Sequence, residues 1–163
     1  MKPLYVYPGS FCPPTRGHLE VVRQAAEMFE QVIVLCSTNE EKDSRWFTEQ
    51  ECVELWQTYA LPANVKVLTL AQLLELNPDL SSIIMIRGIR DESDLDYEKT
   101  VVLANFKQFG MNKFLYLVTS QEFCNISSSA ARKAAQTQDL QALSELVSSG
   151  VATRLMEKVQ ALT

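Results

Sequence analysis

Five short apolar runs alternate with segments of helical spacing along this chain, and few folds accept that alternation. The runs are Leu4 to Tyr7, Gln31 to Cys36, Val65 to Leu68, Ser82 to Ile86 and Lys113 to Val118. Gln31-Val-Ile-Val-Leu-Cys36 and Ser82-Ile-Ile-Met-Ile86 are apolar almost throughout, as strands buried on both faces of a parallel sheet are. Between the runs the period changes. Leu19, Val22, Ala26 and Phe29 recur at three- and four-residue steps, which predicts a helix from Gly17. A capping box, Thr48 to Glu51, opens a second helix to about Tyr59. Leu70, Leu73, Leu74 and Leu76 mark a short third helix. A fourth runs from Asp94 to about Gln108, with Leu95, Val102 and Phe106 on one side, and a fifth from Ser127 to about Ala135. Asp139 caps a sixth, with Leu140, Leu143 and Val147 inward and Gly150 ending it. Val151, Leu155 and Val159 give a last amphipathic helix. The expected class is α/β, a doubly wound five-stranded parallel sheet with helices on both faces. One domain is expected over residues 1–163, with the helices of 139–162 packed on it.

Such sheets bind ligands at the carboxyl ends of their strands, near the point where strand order reverses. Three loops that leave strand carboxyl ends carry chemistry. The first is Tyr7-Pro-Gly-Ser-Phe-Cys-Pro-Pro-Thr-Arg-Gly-His18, with the only histidine of the chain at its end. Pro13 and Pro14 stiffen it, because proline fixes φ. Free backbone N–H groups and the positive end of a helix dipole gather there, which suits phosphate. Neither G-x-x-x-x-G-K-[ST] nor G-x-G-x-x-G is present in it. The second, Arg87 to Ser93, reads as a charged loop. Its Arg87-Gly88-Ile-Arg90 offers two guanidinium groups able to grip phosphate oxygens, although Asp91, Glu92 and Asp94 are competing partners. The third is Asn125-Ile126-Ser127-Ser128-Ser129, followed by Arg132. Serines at a helix start commonly cap it, and three together also offer donors to a polyphosphate.

Composition narrows the function. Across 163 residues the net charge is −5, so the chain lacks the basic field of a general nucleic-acid binder. No apolar stretch approaches the roughly 20 residues of a membrane helix, no signal peptide is evident, and a cytoplasmic protein is expected. Cys12, Cys36, Cys52 and Cys124 form no C-x-x-C pair, and no metal site is expected. Cys36 reads as a buried thiol. Cys12 is either a reactive group of the first loop or a plain side chain in it.

The first loop, G-S-F-x-P-x-T-x-G-H, resembles the signature of the nucleotidyltransferase superfamily, in the T-x-G-H form of the phosphopantetheine adenylyltransferases. Arg87-Gly-Ile-Arg90 followed by Asp94-Leu-Asp-Tyr-Glu98 is similar to the R-G-[LI]-R-x-x-x-D-[FL]-x-Y-E pattern of that family. Ile126 to Arg132 resembles the superfamily motif I-S-S-[ST]-x-x-R, which nicotinate mononucleotide adenylyltransferases share. Lys42, in Asn39-Glu-Glu-Lys42, matches an N-x-x-K lysine. Cys12 stands where the family has aspartate, Pro14 where it has a branched apolar residue, Ser10 where it has threonine, and Ala130-Ala131 where it has bulkier residues.

The resemblance implies a Rossmann-like fold and transfer of AMP from ATP to 4′-phosphopantetheine. It gives His18 and Lys42 the catalytic role, as donors to the α-phosphate. It places Tyr7, Gly9, Ser10, Phe11, Gly17, Gly88, Arg90, Glu98, Asn125, Ile126 and Ser127 to Ser129 with His18 around ATP. Ser10, Lys42, Leu73, Leu74, Arg87 and Asn105 would meet the acceptor. Magnesium would arrive with ATP, a homohexamer is expected, and coenzyme A is a candidate feedback inhibitor. The alternatives are a relative acting on nicotinate mononucleotide or another phosphorylated acceptor, and a catalytically inactive nucleotide-binding protein on the same fold.

Overall fold

The computed structural model describes residues 2–38 and 45–161. Five parallel strands form one sheet: β1 (Leu4–Gly9), β2 (Val32–Cys36), β3 (Val65–Thr69), β4 (Ile83–Ile89) and β5 (Phe114–Val118), in the order β3-β2-β1-β4-β5. Among the described residues seven α-helices connect or follow the strands: α1 (Arg16–Met28), α2 (Glu49–Trp56), α3 (Leu70–Glu75), α4 (Glu92–Phe109), α5 (Ser128–Gln136), α6 (Leu140–Leu146) and α7 (Ser149–Ala161). All four strand pairings are parallel, and β1 lies at the centre, where the order turns from β2 to β4.

Side-chain alternation along the strands divides the core in two. Tyr7, Val32, Val34 and Cys36 face the helices α1, α2, α5, α6 and α7, where Trp56, Leu143, Val151 and Leu155 are buried with them. Val6, Ile33, Leu35, Ile83 and Met85 face the other way and pack with Leu73 of α3. Every residue of β2 is buried, as expected of a strand covered on both faces.

The fourth strand is longer than the apolar run predicts. Arg87, Gly88 and Ile89 are strand, not loop, because they pair with Tyr116, Leu117 and Val118 of β5. Glycine is accommodated at position 88 because α1 crosses closely. A Cβ there would lie 2.8 Å from Cγ2 of Val21. Gly150 does not end α6, which stops at Leu146. It sits inside α7, where a Cβ would come within 2.6 Å of the Thr58 side chain. Leu140, expected inward, is exposed, while Leu143 and Val147 are buried. On α4, Leu95 and Phe106 are exposed as well, and among its described side chains only Glu98 is buried.

Candidate active site

Helix and loop chemistry bring the first and third loops into contact. Ser127 caps α5, its side chain accepting from Ala130 N–H at 3.0 Å, as a serine at a helix start should. Ser128 Oγ donates to the Pro13 carbonyl at 2.8 Å. Arg132, one turn into α5, donates from Nη1 to the Cys12 carbonyl at 2.6 Å and from Nη2 to Ser129 Oγ at 3.2 Å. Gly17 lies against Ile126, where a Cβ would make ordinary contact with the Ile126 carbonyl oxygen at 3.5 Å. Tyr59, just past α2, holds the first loop from another side, donating from its hydroxyl to the Pro14 carbonyl at 2.9 Å.

The first loop is anchored by an aromatic side chain. Phe11 has φ +42°, a left-handed conformation uncommon for a bulky residue. Its buried ring meets Tyr7, His18 and Trp56 edge-on at centroid distances of 5.2, 5.0 and 5.1 Å. The ring also folds over Gly9, where a Cβ would lie 2.7 Å from Cζ of Phe11. Thus Gly9 keeps space for Phe11, and Phe11 and Tyr7 serve as walls of the core rather than exposed groups. Burial pushes the Tyr7 hydroxyl far above its ordinary pKa. Ser10 and Asn125 are exposed on the loops themselves.

His18 enters α1 at its third position and closes a capping box with Thr15. Thr15 N–H donates to Nδ1 at 3.0 Å, the Thr15 hydroxyl lies 3.1 Å from the same nitrogen, and His18 N–H donates back to Thr15 Oγ1 at 3.4 Å. Burial, and then the charge of Arg90, push the imidazole pKa down to about 4. It is therefore neutral at pH 7, with Nε2 left for a ligand. The role of Thr15 was readable as T-x-x-H, a capping box with histidine in the place of glutamate.

The two arginines of β4 and its exit are both engaged by carboxylates. Arg90 donates from Nε to Asp94 Oδ2 at 3.3 Å, and its backbone N–H donates to the same oxygen at 2.8 Å. Arg87 takes a partner farther along α4. Its Nε donates to both oxygens of Glu98 at 3.1 Å, and Nη2 donates to Oε1 at 2.8 Å. Nη1 reaches the Pro8 carbonyl at 3.4 Å, so this arginine also touches the end of β1. Burial disfavours the Arg87 charge, and the Glu98 carboxylate more than offsets that, holding the guanidinium protonated.

The remaining expected residues lie apart from this junction or outside the described residues. Lys42 is among the latter. Leu73 is 3% exposed and belongs to the core, whereas its neighbour Leu74 is 54% exposed and open to a ligand. Asn105, on α4, donates from Nδ2 to the Val101 carbonyl at 2.8 Å. Cys12 is buried, with Sγ 3.9 Å from the Phe47 carbonyl. The neighbouring Cys52 thiol draws the Cys12 pKa down against the effect of burial, and Cys52 moves up in consequence. Cys36 is a buried thiol pushed up to about 12 by burial.

Chemically, the junction sets a neutral imidazole, two guanidinium groups and a helix N-terminus near one rim of the sheet, an arrangement suited to polyphosphate. The cytidylyltransferase-like family profile matches residues 6–134. A phosphopantetheine adenylyltransferase of Caldanaerobacter subterraneus subsp. tengcongensis is 36% identical over 156 residues, covering 94% of this chain and 95% of the relative. One from Carboxydothermus hydrogenoformans is 34% identical over 160 residues, covering 95% of each. Among solved structures, Plasmodium falciparum nicotinic acid mononucleotide adenylyltransferase complexed with NaAD superposes with a TM-score of 0.64. It is 14% identical and 96% of each chain is covered, a likeness of fold.

Proposed function

This chain belongs to the cytidylyltransferase-like family, among the phosphopantetheine adenylyltransferases, and on that premise we propose how its residues carry out the reaction. ATP and 4′-phosphopantetheine give dephospho-coenzyme A and pyrophosphate. A phosphate oxygen of the acceptor attacks the α-phosphorus of ATP, the new P–O bond forms, and the bond to the bridging oxygen of pyrophosphate breaks. The attacking group is already an oxyanion, so no general base is required. Catalysis consists of holding two anions in line and stabilising charge at the α-phosphate.

The observation that carries this reading is the clasp of Arg132 and Ser128 on the carbonyls of Cys12 and Pro13, which fastens the third loop beside His18. His18 donates to an α-phosphate oxygen, with Lys42 as its companion. A donor of this kind contributes about 2.7–4 kcal/mol, roughly 100–1,000-fold in rate. Arg90, the hydroxyl groups of Ser127 and Ser129, which keep their own hydrogens, and the backbone N–H of Ser128 at the start of α5 take the β- and γ-phosphates, and Gly9, Ser10, Gly17, Gly88 and Ile126 shape the floor. Arg90 exchanges part of its Asp94 contact for phosphate, because its side chain is already 40% exposed. Arg87 meets the acceptor phosphate and Leu74 its arm. Magnesium would be held through the phosphates of ATP and, when bound, would lower their charge.

The exposed Leu95, Tyr97, Leu103 and Phe106 of α4 support burial of that helix against further subunits, in keeping with a homohexamer. Among the described residues no helix is long and apolar enough to cross a membrane, and a cytoplasmic enzyme is proposed. Feedback by coenzyme A would follow from its likeness to the product. The test is pyrophosphate release from ATP with each acceptor in turn. Release with 4′-phosphopantetheine and none with nicotinate mononucleotide is expected. The reverse preference, or ATP binding with no turnover on any acceptor, would replace this reading with one of its alternatives.

A further inference from the structure

We propose that Thr15 is a positioning residue that fixes His18 as the Nε2-protonated tautomer, and so decides which ring nitrogen meets the triphosphate. The inference rests on the proposed reaction only for its effect on turnover.

Two groups of Thr15 converge on one nitrogen, and the backbone N–H among them can only donate. The Thr15 backbone N–H points at His18 Nδ1 at 3.0 Å, and the Thr15 hydroxyl lies 3.1 Å from the same atom. That hydroxyl oxygen accepts from His18 N–H at 3.4 Å, which leaves its own hydrogen for Nδ1. An Nδ1 bearing a proton would set N–H against N–H, and the Thr15 donor would be stranded. Thr15 is 0% exposed, so water does not replace the lost partner. Turning the ring over would place a carbon at the same spot. The edge-on contact with Phe11, at 5.0 Å and 82°, further holds the ring plane. A neutral imidazole has one N–H, and with Nδ1 accepting, that N–H is on Nε2. This gives the capping box a second use. The same pair that starts α1 aims a donor out of its N-terminus.

Nitrogen-15 NMR of uniformly labelled protein tests this directly, because the chain has one histidine. The wild type is expected to show a pyridine-like Nδ1 and a pyrrole-like Nε2 at pH 7. Thr15→Ser keeps both donors and should keep that pattern and the wild-type kcat. Thr15→Val removes the hydroxyl and keeps the backbone N–H, so Nδ1 should stay unprotonated while its signal shifts with the loss of one donor, and kcat should fall about tenfold with a smaller change in the KM for ATP. A pyrrole-like Nδ1 in the wild type would overturn the proposal, even if Thr15→Val failed to fold. So would a Thr15→Val protein with the wild-type spectrum and kcat, which would leave Thr15 only a helix cap. Absence of turnover with every acceptor would sink the proposed reaction instead, and the spectra would still decide the tautomer.

Discussion

Replacing Glu98 by glutamine should destabilise the protein by about 3 kcal/mol, through Arg87 rather than through the lost carboxylate itself. The two side chains share three hydrogen bonds between 2.8 and 3.1 Å. Opposite charges about 4 Å apart attract by about 4 kcal/mol at an effective dielectric near 20. Breaking a buried pair by removing one charge costs about 3–5 kcal/mol, because the other charge is stranded. Here the carboxylate is 6% exposed but the guanidinium 21%, so water relieves part of that cost and the lower end applies. Glutamine preserves the shape and one acceptor, which excludes a cavity as the cause. In urea, with a slope of about 2 kcal/mol per molar, the midpoint should fall by about 1.5 M. Far-ultraviolet circular dichroism at pH 7 and one fixed protein concentration gives the measurement, since assembly would otherwise shift it. The double variant Arg87→Met, Glu98→Leu should recover most of the loss, as apolar pairs in place of buried ion pairs often do. A midpoint for Glu98→Gln within about 0.3 M of wild type would refute the reasoning.

His18→Ala should lower kcat at least about 100-fold while calorimetry still detects ATP binding; turnover within threefold of wild type would remove His18 from the mechanism. The single imidazole should titrate by NMR with a midpoint near 4, and a midpoint above 6 would contradict its burial beside Arg90. The sign for stability follows, since the unfolded chain binds that proton at about 6.5 and the folded chain only near 4. The contribution is whole above pH 6.5 and is lost as pH falls toward 4, which thermal melts at pH 7.5 and 5 should register. Gly88→Ala should cost about 1–3 kcal/mol in a thermal or urea melt, because its methyl group would press on Val21. A wild-type melting temperature would mean that α1 moves aside freely.

The five strands, their parallel class and the three loops were legible because they rest on local signals, whereas the order β3-β2-β1-β4-β5 emerges only from pairings between distant runs. Apolar runs, changes of period and capping residues such as Thr48, Ser127 and Asp139 all belong to neighbouring positions. What was not legible depends on residues far apart in sequence. Arg87 and Gly88 carry charge and turn signals, yet β5 recruits them into the sheet. Asp91, Glu92 and Asp94 were the near partners for the arginines. Arg90 takes Asp94, but Arg87 passes over all three for Glu98, which only the packing of α4 against β4 brings within reach. Leu95 and Phe106 have helical spacing toward one side, and spacing does not say whether this chain or another covers them. Cys12 gave no sign in the sequence of meeting Cys52 and the Phe47 carbonyl, because that contact joins the first loop to α2.

The most direct test of adenylyl transfer is the reverse reaction. Labelled pyrophosphate should enter ATP only when dephospho-coenzyme A is supplied, at a rate that His18→Ala abolishes. Exchange that ignores dephospho-coenzyme A, or that requires nicotinate adenine dinucleotide in its place, would contradict the account.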